Sequence, residues 1–230
     1  IDAVTLTDPY DPILAADGVA YVVPYGLRLD EVWAALPSAA GLTFEAAVPE
    51  RGDQAPRASP LYVRVTGPRA GDLPRPATRS ASVAFAGGPE LRDAAVWTAT
   101  PADPAAAAAG YVDLHVATRW RRLPAPADPA AAPPAGDATL YVHVVDAAGR
   151  RVDDGGDAPL GQGIYPLARW RPGDEVVERR TVRLAPRTGA VRVVVGLYAG
   201  DPSAPLGPAG SSEAHSNAGD QRAVEVGRIP

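Results

Sequence analysis

Hydrophobic and polar positions alternate along much of the second half of the chain. In Tyr111–Arg121 the residues Val112, Leu114, Val116 and Trp120 share one face, while Asp113, His115, Ala117 and Arg119 share the other. Leu140, Val142 and Val144 repeat this period of two, as do Val191, Val193, Val195 and Leu197. A period of two is the mark of a strand with one face buried. Leu91–Thr98, Ala138–Asp146, Val176–Leu184 and Arg222–Gly227 are further runs of strand length, and Ser82–Ala86 is a shorter one. Turn signals separate them. Asp146-Ala147-Ala148-Gly149 reads as a hairpin loop with Gly149 free to take a positive φ, and Arg187-Thr188-Gly189 as a second. Pro172-Gly173 suits the two central positions of a type II turn, with Trp170 just before it closing one end of the fold. About seven short strands with frequent turns predict an antiparallel, immunoglobulin-like β-sandwich over residues 81–230.

The first 66 residues read differently, as a small α/β segment. Val19–Val23, Leu42–Val48 and Leu61–Thr66 are strand candidates. Leu29–Leu36 carries Leu29, Val32, Trp33 and Leu36 on one helical face, with Asp30 as an N-cap. Residues 67–80, GPRAGDLPRPATRS, have the composition of a linker, which places the domain boundary there. Three stretches rich in alanine, proline or glycine, at 101–110, 123–136 and 200–219, interrupt the strands and are expected to be surface loops.

Composition narrows the setting. Hydrophobic residues make up 46% of the 230 and charged residues 21%, enough for a packed core despite 26 prolines. The longest apolar runs are of strand length, well short of the roughly eighteen residues of a membrane helix. The sequence has no methionine, so a processed mature chain or a piece of a longer protein is expected. It has no cysteine, which removes disulfides, thiolate metal sites and cysteine nucleophiles. Every basic residue is arginine and the single asparagine is Asn217, a bias that suits a GC-rich genome and, more weakly, a thermophile. A net charge of −5 argues against nucleic acid as a partner.

Candidate chemistry is sparse. The three histidines, His115, His143 and His215, have no metal-ligand spacing, and strand or loop positions explain them. Asp153, Asp154 and Asp157 cluster beside glycines, as a hard cation would want, but they lack the order of a calcium loop, and turn formation explains them as well. Ser211, Ser212 and His215 sit together without a nucleophile elbow. Glu45, Glu50, Asp174, Glu175 and Glu178 supply carboxylates, but nothing in the sequence sets a pairing distance for acid–base work. No cofactor motif occurs, and this portion is expected to be non-catalytic. For ligand binding, the aromatic residues Trp120, Tyr165 and Trp170 are candidates for stacking on sugar rings, with core burial as the competing fate.

Several motifs in residues 78–230 occur in an order that resembles a known family. They are Phe85-Ala86-Gly87-Gly88, Ala117-Thr118-Arg119-Trp120-Arg121 and the run from Tyr141-Val142-His143 to Asp146-Ala147-Ala148-Gly149. Then come Asp157, Pro159-Leu160-Gly161, Tyr165-Pro166, Trp170 and Pro172-Gly173-Asp174, followed by Val195-Gly196-Leu197-Tyr198 and Gly219-Asp220. The succession resembles the C-terminal extracytoplasmic β-domain of bacterial membrane glycosyltransferases of the protein O-mannosyltransferase and aminoarabinose transferase-like superfamily. Longer Ala/Pro inserts, and Asp201–Gly219 in place of a compact hairpin, depart from that pattern.

The resemblance implies a non-catalytic module on the outer side of the cytoplasmic membrane, attached to a membrane glycosyltransferase-like protein or free-standing. In that superfamily sugar transfer from a polyprenyl-phosphate donor belongs to membrane loops that this sequence lacks, so no catalytic residue carries over. Implied partners are a glycan or the protein's own membrane domain. The alternatives are a secreted cell-surface structural protein that self-assembles through sandwich edge strands, and a carbohydrate-binding module.

Overall fold

The computed structural model describes residues 13–14, 20–22, 41–46, 60–66, 73, 75–80, 82–124, 138–153, 157–163, 167–186, 189–199, 205–206 and 223–230. The described residues are mostly β, two sheets packed face to face with one short α-helix. The strands of the first sheet that belong to the sandwich are β5 (Val83–Ala84), β6 (Pro89–Ala99), β7 (Val112–Arg122) and β10 (Glu175–Leu184), antiparallel in the order β5-β6-β7-β10. The second sheet has β8 (Ala138–Val145) between β9 (Ala158–Pro159) and β11 (Val191–Ala199). Two strands share the far side of β11: β12 (Pro205–Leu206) and β13 (Val224–Ile229).

This connectivity is the immunoglobulin-type Greek key. With β6, β7, β8, β10, β11 and β13 as strands A, B, C, E, F and G, A pairs with B and B with E, while C pairs with F and F with G. The place beside E that strand D holds in such folds is taken by β3 (Gly41–Ala46), which pairs with β10 in parallel. Antiparallel β4 (Pro60–Thr66), β2 (Ala20–Val22) and β1 (Ile13–Leu14) continue the sheet outward. The strands expected near residues 19–23, 42–48 and 61–66 are these β2, β3 and β4. The helix expected over Leu29–Leu36 lies outside the described residues.

The core lies between the sheets, filled by the alternating residues: Leu114, Val116 and Trp120 from β7 meet Leu140, Val142 and Val144 from β8 and Val193, Val195 and Leu197 from β11. In β6 the alternation is broken. A bulge at Arg92 moves the phase by one, so Leu91, Ala94 and Val96 all face inward. Among the described residues, Thr118, Glu178 and Arg180 place polar side chains in the inward rows of β7 and β10. Thr118 accepts a hydrogen bond from Trp120 Nε1 at 2.9 Å. Glu178, fully buried, accepts from the Gly161 N–H and from Arg180 Nη2, the latter at 3.1 Å. These bonds fasten the short 3-10 turn Leu160–Gly163 to β10 and satisfy a carboxylate that burial alone would penalise.

The turns follow the sequence closely. Gly173 has φ +90° and the Asp174 N–H donates to Arg171 O at 2.9 Å, a type II turn around Pro172-Gly173. Gly149 has φ +78° in the loop after β8. The alanine-rich stretch 101–110, expected to be loop, forms a helix over Pro104–Ala108, here α1. Asp103 caps it by accepting from the Ala105 N–H at 2.9 Å, and Pro104 stands in the first turn, where a missing N–H costs nothing. Consecutive alanines then propagate it. Within the stretch expected to be a linker, Arg79 bridges to Ala94, and Thr78 Oγ1 donates to Val226 O at 2.6 Å. Of the other two inserts, 125–137 and most of 200–219 lie outside the described residues.

Candidate functional site

Trp120 and Trp170 are core residues. Trp120 is 0% exposed, with its ring centroid 5.5 Å from that of Phe85, and Trp170 is 4% exposed. A sugar platform needs one open ring face, and neither residue offers one, so burial replaces the stacking role entertained from sequence. Tyr165, the third candidate, lies outside the described residues.

The weak metal candidates are also engaged elsewhere. Asp153 is buried and accepts from the Val144 N–H at 2.6 Å and from Arg151 Nε at 3.3 Å, which ties the chain to the edge of β8. Asp157 instead accepts from Tyr198 Oη at 3.2 Å. Asp154 is outside the described residues, among which no group of three metal-ligating side chains gathers. Ser211, Ser212, His215 and Glu50 also fall outside them. Asp174 is buried and accepts from the Arg171 N–H at 2.7 Å, so this carboxylate, like Glu178, holds main chain in place.

Among the described residues, two clusters of aromatic and titratable side chains form on the outer faces. On the second sheet, Tyr141 and His143 of β8 stand with Tyr198 of β11 and Asp157. The Tyr141 and His143 ring centroids are 4.6 Å apart, and His143 Nε2 lies 3.6 Å from Asp157 Oδ1. Burial, then the neighbouring Asp157 carboxylate, raises the pKa of the Tyr198 phenol. Tyr141 is 5% exposed, His143 and Tyr198 are half-buried and Asp157 is exposed, so the tyrosine forms the covered side of this cluster.

The second cluster spans three strands of the first sheet. Register sets Trp97 of β6 opposite His115 of β7, and His115 opposite Thr181 of β10. The indole and imidazole rings stack at 5.2 Å and 22°, and His115 Nδ1 lies 2.9 Å from Thr181 Oγ1. One row further on, Ala99, Asp113 and Arg183 line up in the same way. Arg183 donates to Asp113 from Nε at 2.8 Å and from Nη2 at 3.1 Å, the bidentate fork that fixes both planes. Burial lowers the pKa of His115 against the opposing pull of Asp113, which keeps the imidazole neutral at neutral pH. The bond to Asp113 raises the pKa of Arg183.

Burial shows where this face opens. Ala95 and Ala117 are fully covered and Val177 nearly so. Beyond them Trp97, His115, Thr181 and Arg183 are half-buried, and Thr98 and Ala99 are exposed. The alternation in Tyr111–Arg121 had already put Asp113 and His115 on one polar face. Trp97 was not singled out from sequence, because the bulge at Arg92 hides its phase.

No protein-family model and no curated protein matches this chain. The motifs behind the resemblance have structural work to do. Gly87 and Gly88 both take positive φ in the turn into β6, where Arg122 Nη1 donates to Gly87 O. Pro172-Gly173-Asp174 forms the turn into β10, and the Arg122 N–H donates to Asp174 O at 2.9 Å.

Proposed function

We propose that the chain is a non-catalytic extracytoplasmic module, either the accessory domain of a membrane glycosyltransferase-like protein or a free-standing relative of one. The observation that carries this reading is the use of its carboxylates. Asp174 and Glu178, both fully buried, are bound to main-chain N–H groups that hold a turn and a crossing segment. A carboxylate bound to main chain in that way stabilises the fold. An immunoglobulin-type sandwich that spends its interior in this way leaves its outer faces as the functional surface. The motif order in residues 78–230 favours the glycosyltransferase-associated setting.

The test is the native gene product in its host, followed by membrane fractionation and protease shaving of intact cells. A product that carries several hydrophobic spans and exposes residues 81–230 to external protease supports the accessory domain. A shed or surface-bound product without spans supports the free-standing form, and higher-order species in size-exclusion chromatography would then favour the self-assembling surface protein. A product protected in the cytoplasm overturns the proposal.

A further inference from the structure

We propose that the notch over Ala99, bounded by Trp97, His115 and the Asp113–Arg183 pair, is a saccharide subsite that seats one neutral pyranose ring. This deepens the reading of the chain as an extracytoplasmic module and rests on it for its biological setting.

The floor of the notch is small. Ala99 stands directly across from Asp113, two residues along β6 from Trp97, and is exposed. A methyl group with an indole two residues along the strand and the Asp113 carboxylate across it leaves room that a larger residue would fill. The wall on one side is Trp97. One face of its indole stacks on His115, and among the described residues no ring or hydrogen-bond partner occupies the other. An aromatic surface with one end wet suits the C–H face of a sugar ring.

Polar groups complete the notch at fixed positions. Asp113 is 4% exposed and held by two bonds from Arg183, so the pair is set before any ligand arrives. Those bonds use Nε and Nη2 of Arg183, so its Nη1 hydrogens are further donors of the same guanidinium. His115 uses Nδ1 toward Thr181 and keeps Nε2 for a second bond. A pyranose hydroxyl or ring oxygen can accept from Arg183, and a hydroxyl can pair with His115 Nε2 in either tautomer, as donor or acceptor. Charge then selects among sugars. Asp113 neutralises Arg183 at contact, and Asp103, the cap of α1, adds a further negative charge that Arg183 senses. An anionic ring would meet no net positive potential, whereas a neutral, hydroxyl-rich one meets preorganised donors at low desolvation cost.

The full 230-residue chain is titrated with soluble mannan, with dextran, and with polygalacturonate as the anionic comparison, by calorimetry and affinity electrophoresis. Binding to mannan or dextran is expected. It should weaken by about tenfold or more in Trp97→Ala and in Ala99→Arg, the second of which fills the notch from an exposed position. Circular dichroism and thermal melts check that both variants fold; Ala99→Arg keeps the test alive if Trp97→Ala does not. No binding to either neutral glycan, binding to polygalacturonate alone, or binding unchanged in folded Ala99→Arg each overturns the proposal. Failure here with a product exposed outside the cell removes only the subsite. Glycan binding by a product found in the cytoplasm removes only the accessory-module reading.

Discussion

The Tyr141 ring lies across the backbone of Gly196, its register partner on the neighbouring strand. A Cβ placed on Gly196 would come within 2.7 Å of Cε1 of that ring and closer still to Cζ and Oη. The glycine of the Val195-Gly196-Leu197-Tyr198 run is therefore a space requirement of the outer face of the second sheet. Gly196→Ala is expected to destabilise the protein by about 1–3 kcal/mol, the usual cost of overpacking. Denaturant unfolding measures it. Combined with Tyr141→Ala the loss should be smaller than the sum of the two single losses, because the colliding ring is gone.

Trp170→Ala should cost about 3–5 kcal/mol, since its ring is buried in the core cluster. A measured loss below about 1 kcal/mol would show a ring facing water and restore it as a sugar platform.

Glu178→Ala is expected to cost about 3–5 kcal/mol, because it leaves the Arg180 charge without its nearest carboxylate and the Gly161 N–H without its acceptor. Glu178→Gln keeps an acceptor for that N–H and should lose less. Equal losses in the two variants would place the whole effect on the ion pair.

Gly173→Ala should destabilise through the turn alone. Its φ of +90° is strained for any residue with a Cβ, and the turn joins Asp174 to β10. Melting temperature is the readout, and an unchanged value would mean that the turn relaxes without cost.

Stability should fall as pH drops below the ordinary histidine range. The pKa of His115 is lowered in the folded state, with burial as the first cause and Asp113 acting against it. The unfolded chain therefore takes up a proton near the ordinary histidine value of 6.5 while the folded chain does not. The His115 contribution is fully present above that value and is lost as pH falls toward the folded pKa. Melts at about pH 7.5 and about pH 5.5 in the parent and in His115→Gln give the comparison. The fall should be smaller in the variant, and an equal fall would assign it to other groups.

Alternation alone marks β7, β8 and β11, because a strand with one buried face writes its period into its own residues. β10 shows only as a run of strand length, since Glu178 and Arg180 stand in its inward row. Turn chemistry was legible for a similar reason. Gly149 and Gly173 stand where only a positive φ closes the chain, and that demand is local. The site was much less legible. Trp97 shares its notch with Asp113 and Arg183, which lie on two other strands. Only strand register joins them. The helix α1 was missed because prolines around an alanine run look like breakers, although Pro104 sits at the one helical position that tolerates it.

By itself the sequence determined a β-sandwich, the faces of its main strands and the residues of its sharp turns. Those are properties of neighbours along the chain, set by side-chain period and by backbone sterics. The tertiary structure alone decided that β3 lies parallel to β10 in the place of strand D, that Glu178 faces the interior, and that Trp120 and Trp170 are covered while Trp97 stays at an open edge. Each of these depends on what a distant segment lays over a strand. Burial and pairing between segments far apart are cooperative choices of the whole fold, and no local pattern encodes them.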